Sequence, residues 1–179
     1  MLLGMKRDAA NAYLRLREEV DERAAELMRL HAGHLVCRAG CTACCVNLTV
    51  LPVEFEAIRR SLACASGDRI PFDTLAACGF LTASGLCSIY AHRPIICRTH
   101  GLPIAFAGED GEGCSVSFCQ RNFTDADEDE LDFGPENTLD VDVMNEHLSR
   151  LNLAYLAESG VNPSADGRIE LRKLTEQRE

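Results

Sequence analysis

The chain has 179 residues, of which 46% are hydrophobic and 26% charged, and its formal net charge is −10. A chain of this length buries a sizeable core without cross-links, so we predict a single domain over residues 1–179. The acidic balance opposes contact with phosphate backbones and disfavours nucleic acid as a partner.

The first predicted element is an amphipathic helix over about residues 8–32. Apolar side chains such as Tyr13, Leu16, Val20 and Leu27 recur there at steps of three and four. The residues before it contain no signal-peptide pattern, and no stretch reaches the roughly 20 apolar residues of a membrane helix. We therefore expect a cytoplasmic protein without a membrane partner, in which cysteines stay reduced.

Ten cysteines begin directly after this helix, most of them in two groups. The first group has the spacing C-x3-C-x2-C-C and the second the spacing C-x8-C-x9-C. Thiolates this close together are the usual ligands of zinc and of iron–sulfur clusters. In a reducing compartment the pattern favours metal ligation over structural disulfides. The groups are Cys37, Cys41, Cys44 and Cys45, and then Cys78, Cys87 and Cys97, with Cys114 and Cys119 following.

Spacing within the first group indicates how its thiols could share a metal. Cys41 and Cys44 have the C-x2-C chelate spacing, and Cys37 lies one helical turn before Cys41. Neighbouring side chains at Cys44 and Cys45 point about 100° apart on a helix and to opposite faces of a strand. Either one of this pair is a buried small hydrophobe, or the two bind different metals or different sides of one cluster. We assign Cys64, outside the groups, to packing.

Other side chains near the cysteines have ligand or charge-balancing chemistry. His100 could bind metal or serve as a hydrogen-bonded structural residue. Arg38, Arg93 and Arg98 could offset the negative charge of thiolates, or form salt bridges.

The second half of the chain predicts short strands near residues 102–106 and 168–171 and a second amphipathic helix over about 138–158. The predicted fold is mainly α with short strands. Its centre is an irregular, loop-rich region organised by cysteines and metal, and amphipathic helices flank it.

These motifs resemble the YkgJ-type cysteine-cluster family, whose members are described as zinc- or iron-chelating domains. The resemblance rests on the spacing of Cys37 to Cys45 and on the later pattern C-x-F-L-x3-G-x-C-x-I-Y-x2-R-P-x2-C-R, which begins at Cys78. It covers about residues 36–123. It implies a metal-binding set of eight, with Cys114 as the alternative to its last member: Cys37, Cys41, Cys44, Cys45, Cys78, Cys87, Cys97 and Cys119.

We interpret the chain as a cytoplasmic metal-binding protein that holds zinc or an iron centre on these thiolates. The excess over four ligands and the adjacent Cys44–Cys45 pair favour an iron–sulfur cluster or a multinuclear site. One alternative is a metal-dependent redox or group-transfer enzyme, since flagellin lysine N-methylases are similar through the same cysteine domain. The other is a thiol-based redox sensor.

Overall fold

The computed structural model describes residues 2–65, 70–108, 113–127, 131–160 and 167–176. These residues form a mainly helical structure with short strands, which confirms the predicted fold class. The α-helices are α1 (Leu2–Leu30), α2 (Pro52–Ala65), α3 (Ile95–Thr99) and α4 (Val141–Ser159), with 3-10 turns at Tyr90–His92 and Leu171–Leu174. The strands are β1 (Thr49–Val50), β2 (Ile104–Ala107), β3 (Cys114–Ser117), β4 (Leu139–Asp140) and β5 (Ile169–Glu170). No helix in the described ranges is both long and apolar enough to cross a membrane.

The two predicted amphipathic helices are present as α1 and α4, with shifted ends. α4 begins at Val141 because Asp140 caps it: the Asp140 Oδ1 accepts hydrogen bonds from the N–H groups of Asp142 and Val143, each at 3.0 Å. The strands predicted near residues 102–106 and 168–171 correspond to β2 and β5.

The chain divides into two compact units. Unit 1 contains Met1–Leu16, Ala39–Pro94 and Leu148–Glu179, and unit 2 contains Arg17–Arg38 and Ile95–His147. The single domain over residues 1–179 stays a prediction.

Unit 1 has a core built from α2, the second cysteine segment and the end of the chain. β1 and β5 pair antiparallel, with Thr49 opposite Glu170. Cys78 and Cys87 pack against this core, so a rigid apolar layer backs two of the predicted metal ligands. The buried members are Val50, Phe55, Ile58, Leu62, Ile70, Phe80, Ile89, Leu171 and Leu174.

Unit 2 contains a three-stranded sheet in the order β3-β2-β4, antiparallel between β2 and β3 and parallel between β2 and β4. Ala24 and Leu27 of α1 pack with Leu102 and Leu139 in its core. The buried Arg98 guanidinium on α3 donates to both carboxylate oxygens of Asp21, at 2.6 and 2.5 Å. Arg98 therefore forms a salt bridge that holds α3 against α1.

Candidate metal centre

In unit 1 the second cysteine segment folds as a tight hairpin. Leu81 and Cys87 form an antiparallel bridge. Gly85 closes the turn at φ +75°, a conformation that glycine adopts without strain. The hairpin brings Cys78 close enough to Cys87 for the two sulfurs to interact electrostatically.

The loop that carries the first cysteine motif lies against this hairpin at two points. A side chain added at Gly85 would have its Cβ 3.5 Å from the carbonyl oxygen of Gly40, so the turn and the loop are in close contact. The side-chain oxygen of Asn47 accepts a hydrogen bond from the Gly79 N–H at 3.1 Å. These contacts place the end of the first motif beside Cys78.

Cys45 lies within electrostatic reach of three other thiols where the loop and the hairpin join. Burial, followed by the neighbouring sulfurs of Cys44, Cys78 and Cys87, raises the pKa of Cys45 from 9.0 to about 11. The Cys44 side chain is also hydrogen-bonded to Cys45. The neighbouring sulfurs disfavour ionisation of Cys45, so a cation bound there would stabilise its deprotonated form.

The Cys87 sulfur has the additional contacts that metal thiolates need. Burial raises the pKa of Cys87, while a hydrogen bond from the Ile89 N–H and the positive charge of Arg93 lower it. Backbone N–H groups and cations around a sulfur stabilise its thiolate form. Arg93 also stacks over the exposed ring of Tyr90, with its guanidinium carbon 3.9 Å from the ring centroid. Arg93 therefore has the charge-balancing position predicted for the arginines, whereas Arg98 has the salt bridge.

In unit 2 the sulfur of Cys37 lies beside Gly101 and the side-chain amide of Asn122. A Cβ at Gly101 would be 2.8 Å from the Cys37 Sγ and 3.8 Å from the Cβ of Cys119. Cys37 and Cys119, far apart in sequence, are therefore neighbours at this glycine.

The remaining predicted candidates are distributed over both units. Cys41 lies in unit 1, in the loop of the first motif, and Cys97 lies on α3 in unit 2. Cys114 lies in β3 and is exposed. His100 follows α3, and burial lowers its pKa, which favours the neutral imidazole that binds metals. The roles of these four residues as ligands stay predictions.

The assignment of Cys64 to packing is wrong. Its side chain is exposed on α2. Ile58 and Leu62 define the buried face of that helix, and a residue two positions after Leu62 is rotated by about 200° to the opposite side. Cys64 remains outside both groups of neighbouring thiols.

Sequence reasoning missed Asn47 and Asn122, whose amides fix the loops around the cysteines. Each asparagine follows a cysteine by two or three residues in a non-helical segment, where such side chains often hydrogen-bond to the backbone. An asparagine at this distance from a cysteine in a loop is therefore the sequence signal that could have identified these two residues.

The thiols have the donor atoms that zinc and iron prefer, but their sulfurs are not arranged around a common metal position. Among the described residues, no group of three or more histidine, cysteine, aspartate or glutamate side chains is arranged to hold a metal ion. Zinc requires sulfurs at about 2.3 Å, so binding would draw the four unit 1 thiols closer together as they lose their protons.

Comparison with protein families gives a match over the cysteine-rich part of the chain. Residues 36–122 match the family model CxxCxxCC, described as a "putative zinc- or iron-chelating domain". No curated protein and no solved structure matches the chain.

Proposed function

Because residues 36–122 match the CxxCxxCC family of zinc- or iron-chelating domains, we propose that the protein holds zinc or an iron or iron–sulfur centre through its clustered thiolates. The observation that carries the proposal is that Cys45 lies close enough to Cys44, Cys78 and Cys87 in unit 1 to interact electrostatically with them. Four thiolates are the ligand number of a structural zinc site or a simple iron–sulfur cluster.

The other proposed ligands are Cys37, Cys41, Cys97 and Cys119. The positions of Cys37 and Cys119, both beside Gly101, support a role for these two in unit 2. Cys41 and Cys97 are included on the family pattern. With eight thiolates in total, the protein has enough ligands for more than one metal site.

Zinc and iron use the same thiolate ligands, so our preference for iron–sulfur rests on the adjacent cysteines. Cys44 and Cys45 are hydrogen-bonded to each other and belong to the same group of thiols. Two adjacent thiolates at one site can bind different iron atoms of one cluster. This arrangement supports the iron–sulfur assignment.

We place the protein in a reducing compartment, as expected for a cytoplasmic chain. Its partner is then a metal ion, and the acidic net charge argues against nucleic acid.

The test is purification of the full chain without oxygen, followed by visible absorption and by analysis of metal and acid-labile sulfide. A brown protein with iron and sulfide identifies an iron–sulfur centre, and a colourless protein with bound zinc identifies a zinc site. Cys87→Ser should lose metal, while Cys64→Ser, an exposed cysteine outside both groups, is the matched control. A folded wild-type protein that binds neither metal contradicts the proposal.

A redox sensor is the second candidate, favoured by the hydrogen bond between the Cys44 and Cys45 side chains. It predicts that mild peroxide converts this pair to a disulfide that thiols reduce again. Mass mapping of the oxidised protein decides this, because a permanently metal-bound pair would stay unmodified.

A further inference from the structure

One side-chain hydrogen bond in unit 1 ties the two cysteine segments together. The Asn47 Oδ1 accepts from the Gly79 N–H at 3.1 Å, and the amide orientation is fixed because a backbone N–H can only donate. Asn47 follows Cys45 by two residues, and Gly79 follows Cys78 directly. Two residues of chain span at most about 7 Å, so this bond limits how far Cys45 can lie from Cys78.

The peptide group between Cys78 and Gly79 is hydrogen-bonded on both sides. Its carbonyl oxygen, which belongs to Cys78, accepts from the Leu81 N–H at 3.0 Å. Its N–H, which belongs to Gly79, is the donor to Asn47. Because a peptide group is planar, bonds at both of its polar groups fix its orientation and with it the Cα position of Cys78.

Gly79 is itself held by the surrounding residues of unit 1. It is buried, and its carbonyl accepts from the Asp73 N–H at 2.8 Å. A Cβ at Gly79 would lie 2.2 Å from the Phe72 ring, so this ring occupies the space of the missing side chain. The Phe72 ring packs edge-on against Phe80 of the core, with ring centroids 5.0 Å apart. Asn47 therefore attaches the first cysteine motif to a rigid point of the fold.

We propose that Asn47 is a positioning residue of the unit 1 metal centre, which holds Cys44 and Cys45 where they can share a metal with Cys78. Asn47 acts through the backbone beside Cys78, as an outer partner of a ligand and not as a ligand. The proposal rests on the proposed function, because it assumes that these thiols bind metal.

The first test measures hydrogen exchange of the Gly79 amide by NMR in the full-length, metal-free, reduced protein. Asn47 is exposed, so Asn47→Leu removes the acceptor without opening the core. We expect the Gly79 amide to exchange about tenfold faster, because it loses its hydrogen bond. Asn145→Leu, at an exposed asparagine of α4, is the control and should leave this rate unchanged. An unchanged rate in Asn47→Leu overturns the proposal.

The second test measures cobalt(II) affinity at one fixed pH. Asn47→Leu should weaken binding about tenfold, as loss of an outer partner of a metal ligand does, and Asn145→Leu should bind as the wild type does. Wild-type affinity in Asn47→Leu overturns the proposal. If Asn47→Leu does not fold, Asn47→Ala provides the same readouts.

The cobalt spectrum separates positioning from a purely structural role. At saturating cobalt, Asn47→Leu should lose thiolate-to-cobalt absorption per bound metal to the level of Cys78→Ser, because Cys78 is no longer held at the metal. A purely structural role lowers thermal stability but keeps the wild-type absorption, and that result overturns the proposal.

Failure of this proposal and failure of the proposed function give different results. A wild-type chain that binds no cobalt, zinc or iron refutes the proposed function, and the role of Asn47 falls with it. A wild-type chain that binds cobalt no more tightly than Asn47→Leu refutes the role of Asn47 alone.

Discussion

The raised pKa of Cys45 makes metal binding depend on pH in a way that one substitution should change. Burial, with the sulfurs of Cys44, Cys78 and Cys87, moves this pKa from 9.0 to about 11. At pH 7 about one Cys45 side chain in ten thousand is therefore a thiolate. A metal that binds Cys45 must displace its proton, so the apparent affinity gains about tenfold for each pH unit from this residue alone.

The gain from Cys45 continues up to about pH 11, two units beyond the range of a cysteine with its usual pKa. Below pH 9 the Cys45 side chain is protonated in the metal-free protein and releases one proton when metal binds, so we expect Cys45→Ser to reduce the slope of log affinity against pH by about one unit. The assay is competition for zinc with a chromophoric chelator between about pH 6 and pH 8, corrected for protonation of the chelator. Cys64→Ser is the control and should keep the wild-type slope.

Equal slopes for wild type and Cys45→Ser would refute this reasoning, because Cys45 would then release no proton when metal binds. Lower affinity at every pH with an unchanged slope would refute it as well, since that pattern describes lost packing and not a lost ligand.

Four further predictions concern stability and ligation. Between pH 9 and about 11 the folded, metal-free protein retains the Cys45 proton that the unfolded chain has lost, so its stability should fall across this window, and Cys45→Ala should flatten the fall in urea unfolding. Cys41→Ser and Cys97→Ser should lose metal and thermal stability together, whereas Cys64→Ser should lose neither; retention of full metal by the first two would remove them from the ligand set. Arg98→Met should lower the free energy of unfolding by about 1 kcal/mol, because α3 loses its salt bridge to the partly exposed Asp21 carboxylate, and metal analysis should be unchanged. A single domain should unfold in one transition by both circular dichroism and calorimetry, and two separated transitions would contradict it.

The helices are the part of the fold that the sequence predicts best. The apolar stripe of α1 follows the helical period through Tyr13, Leu16 and Leu27, all of them buried. The start of α4 is less predictable, because it depends on the Asp140 side chain capping the first turn. The pairing of strands is the part that the sequence predicts worst. β5 pairs with β1 although the two are far apart in the sequence, and no local pattern indicates which strand will be the partner.

For the candidate site, sequence spacing identifies the chemistry and the structure identifies the neighbours. Thiolate clustering predicts a metal ligand set, but it does not reveal that Cys45 lies near Cys78 and Cys87 while Cys37 and Cys119 lie beside Gly101. Those groupings depend on how a hairpin and several loops fold back on one another. The contribution of Asn122 is equally hidden, because it depends on two backbone partners and one sulfur converging on a single amide.

The shared core of unit 1 has a consequence for biosynthesis. Cys78 and Cys87 pack on the same apolar cluster as Leu171 and Leu174. On the ribosome, the cysteines therefore emerge long before the residues that complete the support behind them. Nascent thiols at these two positions therefore lack this packing until Leu171 and Leu174 have been synthesised, and a metal site that uses them would gain its apolar support only at that point.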